Sequence, residues 1–149
     1  MPLEYSNEIT INLPRQRVVD LIDSPDNMKH WQPGFLGMTH ISGEQGQEGA
    51  KYSMRYKNRG KEMEMIETIL KRDFPSEFNA TYEAKGVFNR QINKFVEVDE
   101  NTTKWTTESY FEFSTIMMKI MGALMPGAFK KQSMKYLVMF KEWAEGLED

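Results

Sequence analysis

An α+β domain, with a curved antiparallel sheet closed by one long helix, is predicted by three observations. Between residues 3 and 113 the chain holds segments with the two-residue alternation of half-buried strands, separated by turn residues. From about residue 115 the apolar residues recur at helical spacing instead. The strand-like segments are joined too closely for crossover helices, so sequence neighbours should pair antiparallel in a meander.

Ile9, Ile11 and Leu13 alternate with Glu8, Thr10 and Asn12, which predicts a strand over 3–13. Pro14 suits a first helical position, and Val18, Leu21 and Ile22 carry a short helix to about Asp23. Ser24 as N-cap and Pro25 as first residue open a second short helix towards Trp31, closed by Pro33-Gly34. Six further strands are predicted over 35–43, 50–57, 61–72, 77–85, 87–98 and 102–113. The turns between them fall at Gly46-Gln47-Glu48-Gly49, Asn58-Arg59-Gly60, Phe74-Pro75-Ser76, Gly86 and Asp99-Glu100-Asn101. In the helical part Met118, Met125, Phe129, Tyr136, Phe140, Trp143 and Leu147 form one stripe, which predicts a wall packed on the sheet. Pro126-Gly127 interrupts it, because proline removes a backbone bond and clashes with the preceding turn. The expectation is a segment over 115–124 and a longer helix over 126–146.

At 149 residues the chain fits one domain with a single core, 1–149. Cysteine is absent and histidine is limited to His30 and His40, so neither a thiolate site nor a histidine-rich metal site is expected. The net charge of −3 provides no field for a polyanion, and nucleic acid is disfavoured as a partner. The N-terminal Met-Pro-Leu-Glu-Tyr-Ser lacks a basic and an apolar signal region, and no apolar run approaches the ~18 residues that cross a bilayer. A cytoplasmic protein that is not integral to a membrane is therefore expected. Half of the twelve methionines, Met117, Met118, Met121, Met125, Met134 and Met139, lie in the C-terminal stretch. A thioether adapts to irregular apolar shapes, so this wall suits either a filled core or a cavity.

Four stretches carry a family resemblance: Ser24-Pro25-Asp26-Asn27-Met28 followed by Trp31, Ile41-Ser42-Gly43 with Gly49, Met65-Ile66-Glu67-Thr68-Ile69, and Phe140-Lys141-Glu142-Trp143. With this order of elements, the chain resembles the START-like or SRPBCC superfamily over nearly its whole length, and especially its small polyketide cyclase/dehydrase-like members. The resemblance implies a helix-grip fold: a seven-stranded curved antiparallel sheet, two short helices after the first strand, and a C-terminal helix packed across the sheet. It also implies a cavity for a small hydrophobic or amphipathic ligand, lipid-like or polyketide-like, without cofactor or metal. Such proteins include lipid carriers, hormone receptors, cyclases and co-chaperones. A cyclase/dehydratase enzyme and a co-chaperone-like or homodimeric interaction module therefore stand as alternatives, and no catalytic motif carries over.

Parity nominates the residues that would face such a cavity. Tyr52, Met54 and Tyr56 share one side of their strand, as do Met63, Met65 and Glu67 on the next. Tyr82, Asn93, Trp105 and Thr107 offer hydroxyl, amide and indole groups to orient a ligand, while Met118, Met121, Met125 and Phe129 would supply the helical wall. Core packing is the plain alternative for the apolar members. An inward Glu67 would be desolvated, making it a ligand anchor or an acid/base, whereas a bulge or exposed strand end would leave it in solvent. Glu67, Tyr82 and His40 are the candidate proton-transfer groups; both histidines lack a partner motif and suit a surface or rim position. Arg55, Lys57, Arg59 and Lys61 cluster at a hairpin tip, with Glu62 and Glu64 placed to pair with them across the strands.

Overall fold

The computed structural model describes residues 2–147. Strand β1 (Leu3–Ile11) leads into α1 (Arg15–Ile22), a 3-10 turn (Pro25–Asn27) and α2 (Met28–Trp31). Six strands follow: β2 (Phe35–Ser42), β3 (Lys51–Asn58), β4 (Lys61–Asp73), β5 (Glu77–Ala84), β6 (Val87–Asp99) and β7 (Thr102–Phe113). The chain then forms α3 (Ile116–Leu124) and α4 (Pro126–Glu145).

All seven strands belong to one antiparallel sheet in the order β1-β7-β6-β5-β4-β3-β2. From β2 to β7 each strand pairs with its predecessor, as short connections require, and β1 closes on β7. The predicted seven-stranded sheet with two short helices and a long terminal helix is the observed fold, and β2 and β1 are its edges. Two details depart from expectation. Ser24 makes no side-chain cap, and Asn27 fastens this turn instead, its Nδ2 donating to the Leu21 carbonyl at 3.2 Å. β4 runs one residue past its expected end, to Asp73, and its register with β5 shifts between Ile69 and Lys71.

Pro126 separates two helices, as its missing N–H demands. The backbone at Met125 leaves the helical region (φ −131°, ψ 50°). α4 grips the sheet along β1 through specific polar contacts: Tyr5 shares a 2.5 Å hydrogen bond with Ser133, and Asn7 Nδ2 donates to the Lys130 carbonyl at 3.2 Å. Near its other end the Asn12 N–H donates to Glu145 Oε2 at 2.7 Å.

The core lies under the C-terminal half of α4. Leu137, Phe140 and Ala144 pack with Ile11, Val18, Val19, Leu21, Trp31, Phe95 and Trp105. Phe140 is fully buried and meets Trp31 and Trp105 edge-on, at centroid distances of 5.3 and 5.4 Å. These T-shaped contacts place ring edges on ring faces, the arrangement favoured by the aromatic quadrupole. His30 stacks on Trp143 at the edge of this cluster, 5.3 Å between centroids.

Candidate functional site

Under the N-terminal half of α4 the interior is open. A cavity of about 650 Å³ lies between the concave sheet face and α4, with α2 and the β2–β3 loop at its sides. That volume is in the range of small-molecule sites, roughly 300–1,000 Å³.

The lining follows from strand parity. Tyr52, Met54 and Tyr56 face inward from β3, and Met63, Met65, Glu67 and Ile69 from β4. Phe78, Tyr82 and Ala84 come from β5, Asn89, Gln91, Asn93 and Phe95 from β6, and Trp105, Thr107, Ser109 and Phe111 from β7. Phe129, Gln132, Ser133 and Tyr136, at helical spacing on α4, cover them. Of the residues nominated from the sequence, Tyr52, Met54, Tyr56, Met63, Met65, Glu67, Tyr82, Asn93, Trp105, Thr107 and Phe129 are brought together here.

Three of the nominated methionines are not. Met118, Met121 and Met125 lie outside the lining; Met121 and Met125 are 43% and 56% exposed. The reason is the orientation of α3, which rests on the sheet through its glycine: a Cβ on Gly122 would lie 2.6 Å from the Phe113 ring. Only Gly allows so close an approach, and it leaves Met117 and Met121 on the side facing away from the sheet, with Met118 half-buried beside the glycine and Met125 in the break after the helix. His40 also falls outside the lining. It sits on edge strand β2, exposed, with Nε2 2.9 Å from the Gly43 carbonyl oxygen and its ring against Tyr52.

Glu67 is the centre of the site's electrostatics. It is 6% exposed and stands directly across from Tyr52 on β3 and Tyr82 on β5. The Tyr82 side chain shares this part of the cavity wall with the carboxyl group. Burial pushes the Glu67 carboxyl above the usual carboxylate range, and Tyr82 beside it only partly offsets this. Burial likewise pushes the Tyr82 phenol well up, reinforced by the negative charge Glu67 would carry. Tyr56 is raised by burial and then by Tyr136 and Glu67, while its hydroxyl donates to Gln32 Oε1 at 2.5 Å. Burial thus disfavours the charged forms of the carboxyl and of both phenols.

The wall on β6 and β7 is polar in a different way. Asn93 is occupied: its Oδ1 accepts from Trp105 Nε1 at 3.1 Å and its Nδ2 donates to the Phe78 carbonyl at 3.1 Å. This amide fixes the Trp105 ring. Gln91 Nε2 donates to Asn89 Oδ1 at 3.0 Å, and Asn89 Nδ2 to the Tyr110 carbonyl at 3.1 Å. Thr107 Oγ1 and Trp31 Nε1, both on lining residues, are buried without a hydrogen-bond partner. A buried polar group left unmet costs about 1–3 kcal/mol, so both atoms destabilise the fold as it stands.

At one rim Arg72 straps two loops together. Its guanidinium donates to Asp23 Oδ2 at 2.5 Å and to the Gly46 carbonyl at 3.1 Å. The Gly46 N–H in turn donates to the Tyr52 hydroxyl at 2.6 Å, coupling the strap to the cavity wall.

Several lining residues lay beyond the sequence reading. Tyr5 shares the parity of Ile9 and Ile11, a signal that was present. Gln132 and Ser133 break the apolar stripe of α4, so helical periodicity passed over them. Arg72 follows the β4 register shift, which parity cannot foresee. Among the described residues no three His, Cys, Asp or Glu side chains could hold a metal together, and no helix is long and apolar enough to cross a membrane.

Solved structures share this architecture. A START superfamily protein from Mycobacterium smegmatis superimposes with a TM-score of 0.75 at 10% identity, covering 98% of this chain and 99% of that one. The Zhui aromatase/cyclase from Streptomyces sp. R1128 gives 0.76 at 11% identity, over 97% of this chain and 94% of that one. Ara h 8.0201 gives 0.75 at 11% identity, over 99% of this chain and all of that one. At such identities the likeness speaks for the fold alone, the helix-grip fold. No curated protein matches the sequence. The family described as polyketide cyclase/dehydrase and lipid transport matches residues 2–145, nearly the whole chain, and the protein belongs to it.

Proposed function

We propose that this protein binds a small amphipathic molecule, lipid-like or polyketide-like, between the sheet and α4. The observation that carries this reading is a 650 Å³ cavity under α4, lined mostly by apolar side chains and holding the buried Glu67 carboxyl beside Tyr82. A solid core would leave no such volume. In the bound state the apolar body lies against Met54, Met65, Ile69 and Phe78. An oxygen function meets the Glu67–Tyr82 pair, where burial disfavours charge. A few placed polar groups in an apolar wall fix orientation in this way.

Native mass spectrometry of the purified protein, with a thermal-shift screen of fatty acids, sterols, polyketides and flavonoids, tests it. A ligand at one hundred times its Kd adds about 2.7 kcal/mol, or roughly 5–10 °C for a domain of this size. Failure of every class to stabilise the protein refutes the reading.

A second reading, a cyclase or dehydratase acting on such a ligand, is favoured by the Glu67–Tyr82 pair. A neutral Glu67 would protonate a ligand oxygen on its way out as water, and its anion would take a proton from the adjacent carbon. Glu67→Gln keeps the shape and removes the proton. It should leave binding of a polyketide-like substrate intact and abolish turnover; turnover equal to wild type sinks this reading.

A further inference from the structure

We propose that α3 and the first turns of α4 form a docking surface for an anionic lipid bilayer. The inference rests on the outside of the molecule and is independent of what the cavity holds.

α3 is amphipathic with its sides reversed. Gly122 faces the sheet and Met118 lies half-buried beside it, while Ile116, Met117, Ile120, Met121 and Leu124 fall within one arc on the opposite side. Ile116, Met117 and Leu124 are 78%, 76% and 76% exposed, and no residue of α3 is buried. Soluble helices turn such an arc to the core. A contiguous exposed apolar patch marks a surface that meets something apolar.

Charge identifies that partner. Between Glu112 and Glu142 the chain holds Lys119, Lys130, Lys131, Lys135 and Lys141 and no acidic residue, in a protein of net charge −3. Lys119, Lys130, Lys131 and Lys135 are exposed. Lys130 and Lys131 stand about 6–8 Å along α4 from the break that joins it to α3, at 1.5 Å per residue. Lys85 adds a further exposed charge in the turn whose Gly86 lies against Thr115 and Met118. An apolar arc with a basic rim fits a helix lying in the headgroup layer, its apolar side about 5–10 Å deep and its lysines on anionic phosphates. A second copy of the chain fits poorly, because a two-fold contact on this patch would bring lysines against lysines. Docking sets the Phe129 end of the cavity's helical wall beside the bilayer.

Flotation of the full chain with vesicles tests the proposal, using phosphatidylcholine alone and a roughly 3:1 mixture with phosphatidylglycerol. The protein should float with the mixed vesicles, and added salt should release it. The triple variant Ile116→Ser, Met117→Ser, Leu124→Ser should bind at least about tenfold more weakly while melting close to wild type, since these side chains are at least three-quarters exposed. The pair Lys130→Glu, Lys131→Glu should lose the preference for anionic vesicles. Wild type that stays with neither vesicle, or a triple variant that binds as well as wild type, overturns the proposal. So does concentration-dependent dimerisation, abolished by the triple variant, in a protein that ignores vesicles.

Discussion

Phe140→Ala should separate the two halves of the methionine-rich C-terminal region. The Phe140 ring is fully buried and packs edge-on against Trp31 and Trp105, with Trp143 at 6.0 Å. Removing a buried Phe side chain costs about 3–5 kcal/mol, because transfer free energy is lost and the cavity left behind relaxes only partly. The ring pairs add to area burial at about 0.5–1.5 kcal/mol each, so the upper half of that range is expected. With a urea slope of about 2 kcal/mol per molar, the midpoint should fall by roughly 2 M. The matched change on α3, Leu124→Ala, removes a side chain that is 76% exposed and should stay within about 0.5 kcal/mol of wild type. Equilibrium urea unfolding followed by far-UV circular dichroism measures both without relying on the tryptophans themselves. A loss under about 1 kcal/mol for Phe140→Ala, or equal losses for the two variants, would refute the assignment of α4 as the gripping helix and α3 as an outward one.

Three further outcomes follow from the site. Glu67 has its folded-state pKa raised by burial, so the native protein binds more protons than the unfolded chain above the ordinary value of 4.5. Stability should therefore fall as pH rises from there through the raised folded value, and Glu67→Gln, which cannot ionise, should lack that slope in thermal melts. Arg72→Ala releases the strap between Asp23 and Gly46; since the guanidinium is about one-third exposed the stability loss should stay under about 1 kcal/mol, but amide exchange at Gly46 should accelerate. Unchanged protection at Gly46 would mean the strap does not hold that loop. Gly122→Val should push α3 away from Phe113 and raise its susceptibility to limited proteolysis while the main unfolding transition moves little; unaltered cleavage would contradict the close approach described at that glycine.

Much of the sheet was legible because alternation and short turns leave few topologies open. Parity placed Glu67 inward correctly, since the β4 register shift comes after it and leaves the Met63–Met65–Glu67 alternation intact. His40, read as suiting a surface or rim position for want of a partner motif, is exposed across from Tyr52, although the alternation of β2 did not mark it as an edge strand. Edge and centre are properties of the assembled sheet, absent from any one strand's pattern. Asn93 was legible as an inward amide, but its engagement with Trp105 and the Phe78 carbonyl depends on three strands at once. The largest departure is α3. Periodicity gives the spacing of an apolar arc but not its direction, and the convention that apolar sides face the core assigned Met118, Met121 and Met125 to the wall. Pro126 marked the joint between the helices; the small volume of Gly122, not the methionines, decided which way α3 turned.

The central claim, that an amphipathic ligand occupies the space under α4, is tested most directly by methyl NMR of the methionines. Met38, Met54, Met63 and Met65 line the cavity, whereas Met117, Met121 and Met125 lie outside it. Titration with a mid-chain fatty acid below its micelle concentration, or with a polyketide-like ligand from the thermal-shift screen, should shift the Met54 and Met65 methyl signals in a saturable way. The Met117 and Met125 signals should stay in place. Saturable shifts confined to the α3 methionines, with Met54 and Met65 unmoved, would contradict the account.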